Sequence, residues 1–254
     1  MPAARRRADR ALPRHLATAA VAVAGLVGGV VVSAPASAAT TTERVQIGTS
    51  VQGRPIMAIH RWTPGATRKV LVIGNMHGDE RAGMRVVARL KTATLPANVN
   101  LWLIPTLNPD GNAARTRTNA RGVDLNRNFP HRWVRAGRGT SKWSGARAAS
   151  EPETRALMAF VAKRRPRTTI VFHQPLYGVD SYRAKSMTLV RALSRETGLP
   201  VKWFSCSGVC HGTFTGWHNA NTPGRAVTVE FGRALSTYRL GRTVRAVKRV
   251  GAAY

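Results

Sequence analysis

The chain has 254 residues, with 40 Lys and Arg against 11 Asp and Glu and a formal charge of +29. That length allows one domain with a sizeable core. The bases are spread along the chain, with no Lys/Arg cluster interleaved with aromatics, which argues against a nucleic-acid partner and leaves anionic cell-wall polymers as the polyanion such a charge would attract.

Residues 1–38 carry Arg5, Arg6, Arg7, Arg10 and Arg14, then LATAAVAVAGLVGGVVV, then Ala36-Ser37-Ala38. Basic, apolar and small-residue cleavage regions in that order predict a secretory signal peptide over 1–38, removed on export. A retained membrane anchor is the competing reading, but the apolar run is short and rich in Ala and Gly. A single secreted domain over 39–254 is expected, with no membrane span once the signal is gone. Without the five Arg and Asp9 of that segment the balance is 35 bases to 10 acids, a formal +25. Carboxylates this scarce are poor candidates for surface filler, and five of them stand in short polar stretches: Asp79, Glu80, Asp110, Asp124 and Glu230.

Along the mature chain, RPIMAIHRW (54–62) and KVLVIGN (69–75) predict strands, and Ala82, Val86, Val87 and Leu90 at helical spacing predict a helix over 79–94. NLWLIPTLN (100–108) predicts a strand entering the turn Asn108-Pro109-Asp110-Gly111. A polar stretch then runs to Ser150, which with Glu153 forms a capping-box signature for a helix ending before Pro166. A strand over 168–173, a helix over 185–197, a strand over 225–231 and a helix over 234–249 complete the chain. The pattern is that of one α/β domain with a mixed, mostly parallel sheet. The loop-like stretch 108–150 is long for a compact domain, which marks it as functional.

Three chemical sites fall at predicted strand ends, where open α/β sheets place their ligands. They are His77 and Glu80 in GNMHGDE, His173 closing TTIVFH, and Glu230 closing AVTVE. Two His and one carboxylate are the ligand set of a catalytic zinc with an open position. Within the long polar stretch, DLNRNFP (124–130) packs Asn126, Arg127 and Asn128 between apolar residues. A guanidinium fork with an adjacent amide suits a free carboxylate, which it can hold through two parallel charge-assisted hydrogen bonds.

HGDE, then NPDG, then RTNARGVDLNRNFP (117–130), then a strand-end His and a strand Glu, in this order resemble the zinc carboxypeptidases over about residues 45–232. The short bacterial branch that includes murein-peptide amidases and γ-glutamyl-diamino-acid peptidases is the most similar. The resemblance implies a three-layer sandwich with helices on both faces of the sheet. It implies one Zn2+ held by His77, Glu80 and His173, a peptide substrate gripped at its terminal carboxylate by Asn126 and Arg127, Arg117 at the scissile carbonyl, and Glu230 as catalytic carboxylate. Arg115, two residues away, is the competitor for the role given to Arg117. The family's mobile Tyr has no counterpart in residues 211–230, so Phe214 or Trp217 is expected to cap the cleft, and Trp133 and Trp143 are candidates to line it. The tail of the chain lacks the acid that would announce a preference for basic C-terminal residues. A zinc-dependent deacylase of N-acyl amino acids and an inactive cationic wall-binding protein are the alternative functions.

Cys206 and Cys210 are the only cysteines, and in an exported chain they are expected to pair as a disulfide. Three residues separate them, so the sequence CSGVCH is not the haem motif C-x-x-C-H.

Overall fold

The computed structural model describes residues 39–206 and 210–254; the expected signal peptide over 1–38 lies outside the described residues. Among the described residues eight strands form one sheet: β1 (Thr41–Thr49), β2 (Pro55–Trp62), β3 (Arg68–Ile73), β4 (Val99–Ile104), β5 (Thr168–His173), β6 (Gly178–Asp180), β7 (Val201–Lys202) and β8 (Arg225–Glu230). Their order across the sheet is β1-β2-β4-β3-β5-β8-β6-β7. The central strands β4, β3, β5 and β8 run parallel, as does the pair β6–β7, while β1–β2, β2–β4 and β6–β8 are antiparallel. The expected mixed, mostly parallel sheet is therefore present.

Among the described residues six α-helices accompany the sheet: α1 (Ala82–Leu90), α2 (Pro109–Ala114), α3 (Pro152–Arg164), α4 (Met187–Thr197), α5 (Phe214–Asn221) and α6 (Thr237–Ala253). The central strands are apolar on both sides because both sides are covered. Val70 and Val72 of β3 pack with Val86 of α1, Leu193 of α4 and Val247 of α6 in one core. Leu71 and Ile73 pack on the opposite side with Phe160 of α3 and Phe214 of α5. Helix, sheet and helix make the three layers. Among the described residues no helix is long and apolar enough to cross a membrane.

Several local expectations shift. The helix expected over 79–94 begins only at Ala82, because residues 75–81 form a turn that positions polar groups instead. The capping box at Ser150 does not form. Glu151 is the N-cap residue without a side-chain cap bond, and Ser150 Oγ bonds Glu151 Oε1 at 2.6 Å. The stretch 108–150 contains helix α2, started by Pro109 after Asn108, whose side chain accepts from Gly111 N at 2.9 Å. Strands β1, β6 and β7 and helix α5 were not legible. β1 is an edge strand with mostly exposed side chains, β7 has only two residues, and α5 contains Gly, Asn and His. Helix α5 is secured by Thr213, which accepts from Gly216 N at 3.2 Å, and by burial of Phe214 and Trp217.

Candidate metal centre and substrate cleft

The parallel run of β3, β5 and β8 brings their C-terminal ends to one edge of the sheet. After β3, buried Asn75 holds the turn: its Nδ2 donates to the His77 carbonyl at 2.5 Å and the Glu80 carbonyl at 3.0 Å, and its Oδ1 accepts from Thr106 Oγ1 at 2.7 Å. Gly78 packs so tightly against the NPDG turn that a Cβ on it would lie 1.9 Å from the Gly111 carbonyl carbon. The glycines of HGDE and NPDG are thus pressed backbone to backbone. His173 ends β5 and Glu230 ends β8, in register with each other, so their side chains leave the sheet on the same face.

The three expected ligands meet. Ligand atoms of His77, Glu80 and His173 all lie within 4.8 Å of one another, and all three residues are buried. Glu80 Oε1 is 2.8 Å from His77 Nδ1, Glu80 Oε2 is 2.8 Å from His173 Nδ1, and the two Nδ1 atoms are 3.2 Å apart. Two imidazole nitrogens facing each other across a carboxylate need a cation or a proton between them. The donor chemistry and spacing fit a divalent ion such as zinc, with room for a further ligand on the cleft side.

Behind the cluster stands Asp124, fully buried. Its Oδ1 is 2.9 Å from His77 Nε2 and accepts from Asn126 N at 2.9 Å. Its Oδ2 accepts from Arg117 Nε at 3.2 Å and Nη2 at 2.9 Å. A carboxylate on Nε2 fixes the His77 tautomer with its lone pair on Nδ1. Burial alone would lower the His77 imidazole, but Asp124 and Glu80 outweigh it and raise the group to about 9 in the metal-free protein. Burial likewise works against ionised Glu80 and Asp124, yet the two imidazoles for Glu80, and His77 and Arg117 for Asp124, hold them far below the usual carboxylate range. Two carboxylates, Glu80 and Asp124, closing on the imidazoles give the site a negative field that suits a dication. Asp124 was not singled out as a site residue from the sequence, although it opens the most specific motif.

Arg117 lines the cleft and also donates from Nη1 to Glu80 Oε1 at 3.0 Å. Three of its five N–H groups are engaged, which leaves two for a ligand. Arg115 is exposed and outside the cleft lining, so only Arg117 is placed to act there. Asn126 and Arg127 also line the cleft, whose volume is about 1160 Å³. Asn126 Oδ1 accepts from Phe214 N at 2.9 Å, so its Nδ2 is the face left for a ligand. Among the described residues Arg127 pairs with no carboxylate; its Nη1 donates to the Asn126 carbonyl at 2.7 Å. Burial and the Arg117 charge lower its pKa, the condition of a cation short of an anion. Asn128, by contrast, is structural: its Nδ2 donates to the Ser144 carbonyl at 2.8 Å and its Oδ1 accepts from Glu151 N at 3.1 Å.

Glu230 lines the same cleft, and its Oε2 accepts from Leu176 N at 3.3 Å. Burial pushes its carboxyl above the ordinary range, against the pull of His173. Three expectations need correction. Phe214 and Trp217 are buried in the core and do not cap the cleft; the phenol that lines it is Tyr182, from a different segment. Trp133 and Trp143 do not line it either, and Trp133 Nε1 donates instead to the Ser144 carbonyl at 3.0 Å. Asp110 is a buried staple, bonded to Ser50 Oγ at 2.8 Å and Arg54 Nη1 at 2.7 Å, and Asp79 is simply exposed. Asp180 of β6 adds an acid to the cleft lining. Cys206 and Cys210 form the expected disulfide on the cleft wall.

Residues 34–175 match the family described as zinc carboxypeptidase. The chain belongs to the zinc carboxypeptidase family. Murein peptide amidase A of Vibrio campbellii is 34% identical over 170 residues, covering 61% of this chain and 66% of that protein. Murein peptide amidase A of Escherichia coli K12 is 30% identical over 151 residues, covering 54% and 61%. The match thus spans somewhat less than two thirds of these relatives. The crystal structure of murein-tripeptide amidase from Escherichia coli O157 aligns with a TM-score of 0.68 at 26% identity, covering 82% of this chain and 91% of that one. Carboxypeptidase A of Helicoverpa armigera shares the fold, with a TM-score of 0.70 at 17% identity over 84% of this chain and 69% of that one. In this zinc carboxypeptidase the matched region contains His77, Glu80, Arg117, Asn126, Arg127 and His173. Glu230 falls beyond it, and its place rests on its register with His173.

Proposed function

We propose that this zinc carboxypeptidase is an exported, zinc-dependent peptidase that cleaves the amide bond preceding a C-terminal residue with a free carboxylate. Cell-wall stem peptides, including those with a γ-glutamyl-diamino acid linkage, are its natural substrate class. One observation carries the reading: a buried His77–Glu80–His173 cluster shares a cleft with a carboxylate base, Glu230, and with an arginine, Arg127, that has no anionic partner among the described residues. The names of the relatives, the formal charge of +29 and the disulfide support an anionic, extracellular wall as the setting.

His77, Glu80 and His173 would hold the zinc, which supplies a Lewis acid for the carbonyl and lowers the pKa of water toward about 7. Arg127 and the Asn126 amide hold the terminal carboxylate and so align the scissile bond. Glu230 accepts a proton from the attacking water and later gives it back. As the C–N bond breaks, the proton passes from Glu230 to the departing amine nitrogen. The two unengaged N–H groups of Arg117 face the oxygen on which negative charge develops.

The test uses the mature protein with zinc bound and peptides ending in basic, aromatic, acidic or diaminopimelate residues, with and without 1,10-phenanthroline. Chelator-sensitive release of the last residue is expected. Release of acyl groups alone would instead identify a deacylase, and retention on cell walls without turnover a binding protein.

A further inference from the structure

The bases that run through the whole sequence are not shared evenly between the two helical layers. Helices α1, α4 and α6 cover one side of the sheet, where Val86, Leu193 and Val247 share a core. They carry nine Lys and Arg residues, two in α1, two in α4 and five in α6, against one acid, Glu196. Helices α3 and α5, on the other side, carry three. Two of those three are used locally: Arg155 donates to the Ala149 and Ser150 carbonyls, and the Arg164 guanidinium lies 4.3 Å over the Trp102 ring. None of the nine bases lines the cleft.

Folding uses only part of this layer. Arg239 donates to the Thr197 and Gly198 carbonyls at 3.1 Å each, and Arg242 to the Glu196 and Arg195 carbonyls at 3.0 and 2.7 Å, so both close the C-terminus of α4. Arg85 donates to the Leu235 carbonyl at 2.6 Å, and Arg249 pairs with Glu196 at 3.0 Å. Arg195 approaches that carboxylate only to 3.9 Å. Arg89, Arg191 and Arg245 are exposed and Lys248 is half-buried. Among the described residues, none of these four side chains has a carboxylate or a hydrogen-bond partner. Each helix also sets two arginines four residues apart: Arg85 and Arg89, Arg191 and Arg195, Arg245 and Arg249. Like charges at that spacing stand one above the other and destabilise a helix. Three helices of one layer share this repulsion, which an anion laid across them would offset.

We propose that the outer face of α1, α4 and α6 binds a linear phosphodiester polymer of the cell wall, at a site separate from the cleft. The proposal rests on the exported-peptidase reading for the wall setting, and on none of the cleft residues. Eight of the nine bases are Arg, whose planar fork meets the two free oxygens of a phosphodiester through paired charge-assisted hydrogen bonds. Arginines four residues apart rise about 6 Å along a helix, so successive anions of a flexible chain can meet successive turns. Single-stranded nucleic acid fits less well, because it depends on stacking and these helices contain one aromatic residue, Tyr238. A lipid surface would call for apolar side chains among the bases, and the only large ones exposed on these helices are Met187 and Tyr238. Bound in this way, the enzyme is held at the wall while its cleft stays open to stem peptides.

The test removes the four bases that make no bond, Arg89→Gln, Arg191→Gln, Arg245→Gln and Lys248→Gln together, in the zinc-loaded mature protein. A matched variant loses four exposed bases from elsewhere, Arg44→Gln, Arg138→Gln, Lys163→Gln and Arg165→Gln, so that both variants have the same net charge. Binding to poly(glycerol phosphate) is measured by calorimetry over a series of salt concentrations, with circular dichroism as the check on folding. The face variant should bind about tenfold or more weakly at ~0.15 M salt, and its slope of log K against log salt should shrink by about 3, as four lost phosphate contacts require. The matched variant should stay within about threefold of wild type. Equal weakening in both variants would overturn the face and leave the peptidase intact. Tighter face-dependent binding of duplex DNA or of phosphatidylglycerol vesicles would overturn the wall polymer as partner, and equally tight binding of polyglutamate would overturn the preference for phosphate. Cleavage of short peptides, followed in parallel, should be the same in all three proteins. A wild type that cleaves none of them yet binds the polymer through this face would refute the peptidase and keep the face.

Discussion

Replacing Asp124 by Asn tests the electrostatic support of the proposed metal centre without changing its shape. Asp124 is fully buried and accepts four hydrogen bonds, two on each oxygen. Asparagine offers one acceptor oxygen. If that oxygen keeps His77 and Asn126 N, the new amide N–H groups point at Arg117; if it turns the other way, they point at His77. Either orientation sets donor against donor and removes the charge that fixes the His77 tautomer. Loss of such a partner typically costs 10–100-fold in metal affinity, or about 1.4–2.7 kcal/mol. Zinc affinity measured by competition with a chromophoric chelator should fall by that factor, while circular dichroism reports an intact fold. A variant that binds zinc within about twofold of wild type would show that Asp124 does not orient His77, and the assignment of Nδ1 as the metal-facing nitrogen would lose its basis.

The other expectations concern separate parts of the molecule. Glu230→Gln should retain zinc and lower kcat about 10²–10⁴-fold, the usual contribution of a general acid–base group; near-normal turnover in zinc-loaded variant would remove Glu230 from its role. Arg127→Met should weaken kcat/KM by roughly 10²-fold on peptides with a free terminus, the scale of a lost charged contact, with little change on amidated ones. Equal loss on both would mean that the arginine is structural. His218 is buried between Thr169 and Thr222 hydroxyls, and burial, with the nearby Lys185 charge, lowers it to about 4. Its unfolded value is about 6.5, so the unfolded chain takes a proton that the native state refuses, and stability present above pH 6.5 is lost as pH falls toward 4. Urea unfolding at pH 7 and pH 4.5 should differ by about 2–3 kcal/mol more in wild type than in His218→Gln. An identical difference in both proteins would contradict the assignment.

The His77–Glu80–His173 cluster was legible because a strand-end turn needs few residues to specify it: HGDE and NPDG carry glycines for backbone contact, and Glu80 stands three residues from His77. The place of Asn126 and Arg127 on the cleft lining was legible for a similar reason, since a guanidinium and an amide in DLNRNF have few other uses that demand both. Central strands announced themselves through apolar runs, as burial on both faces requires. Short and peripheral elements did not. β6 and β7 have too few residues to show alternation, and α5 is a helix because Phe214 and Trp217 are buried, not because its residues favour one.

What the order of residues settles, then, is the chemistry each segment brings and the kind of layer it builds. Which partners meet is a property of the sheet. Register across β8 and β6 decides that Asp180, in a segment with no motif of its own, faces the same cleft as Glu230. Close packing decides that Phe214 and Trp217, apparent candidates for a cap, are sealed in the core while Tyr182 lines the cleft. Side chains distant along the chain acquire a shared function only through contacts whose geometry depends on every strand between them, and a local pattern holds no record of that.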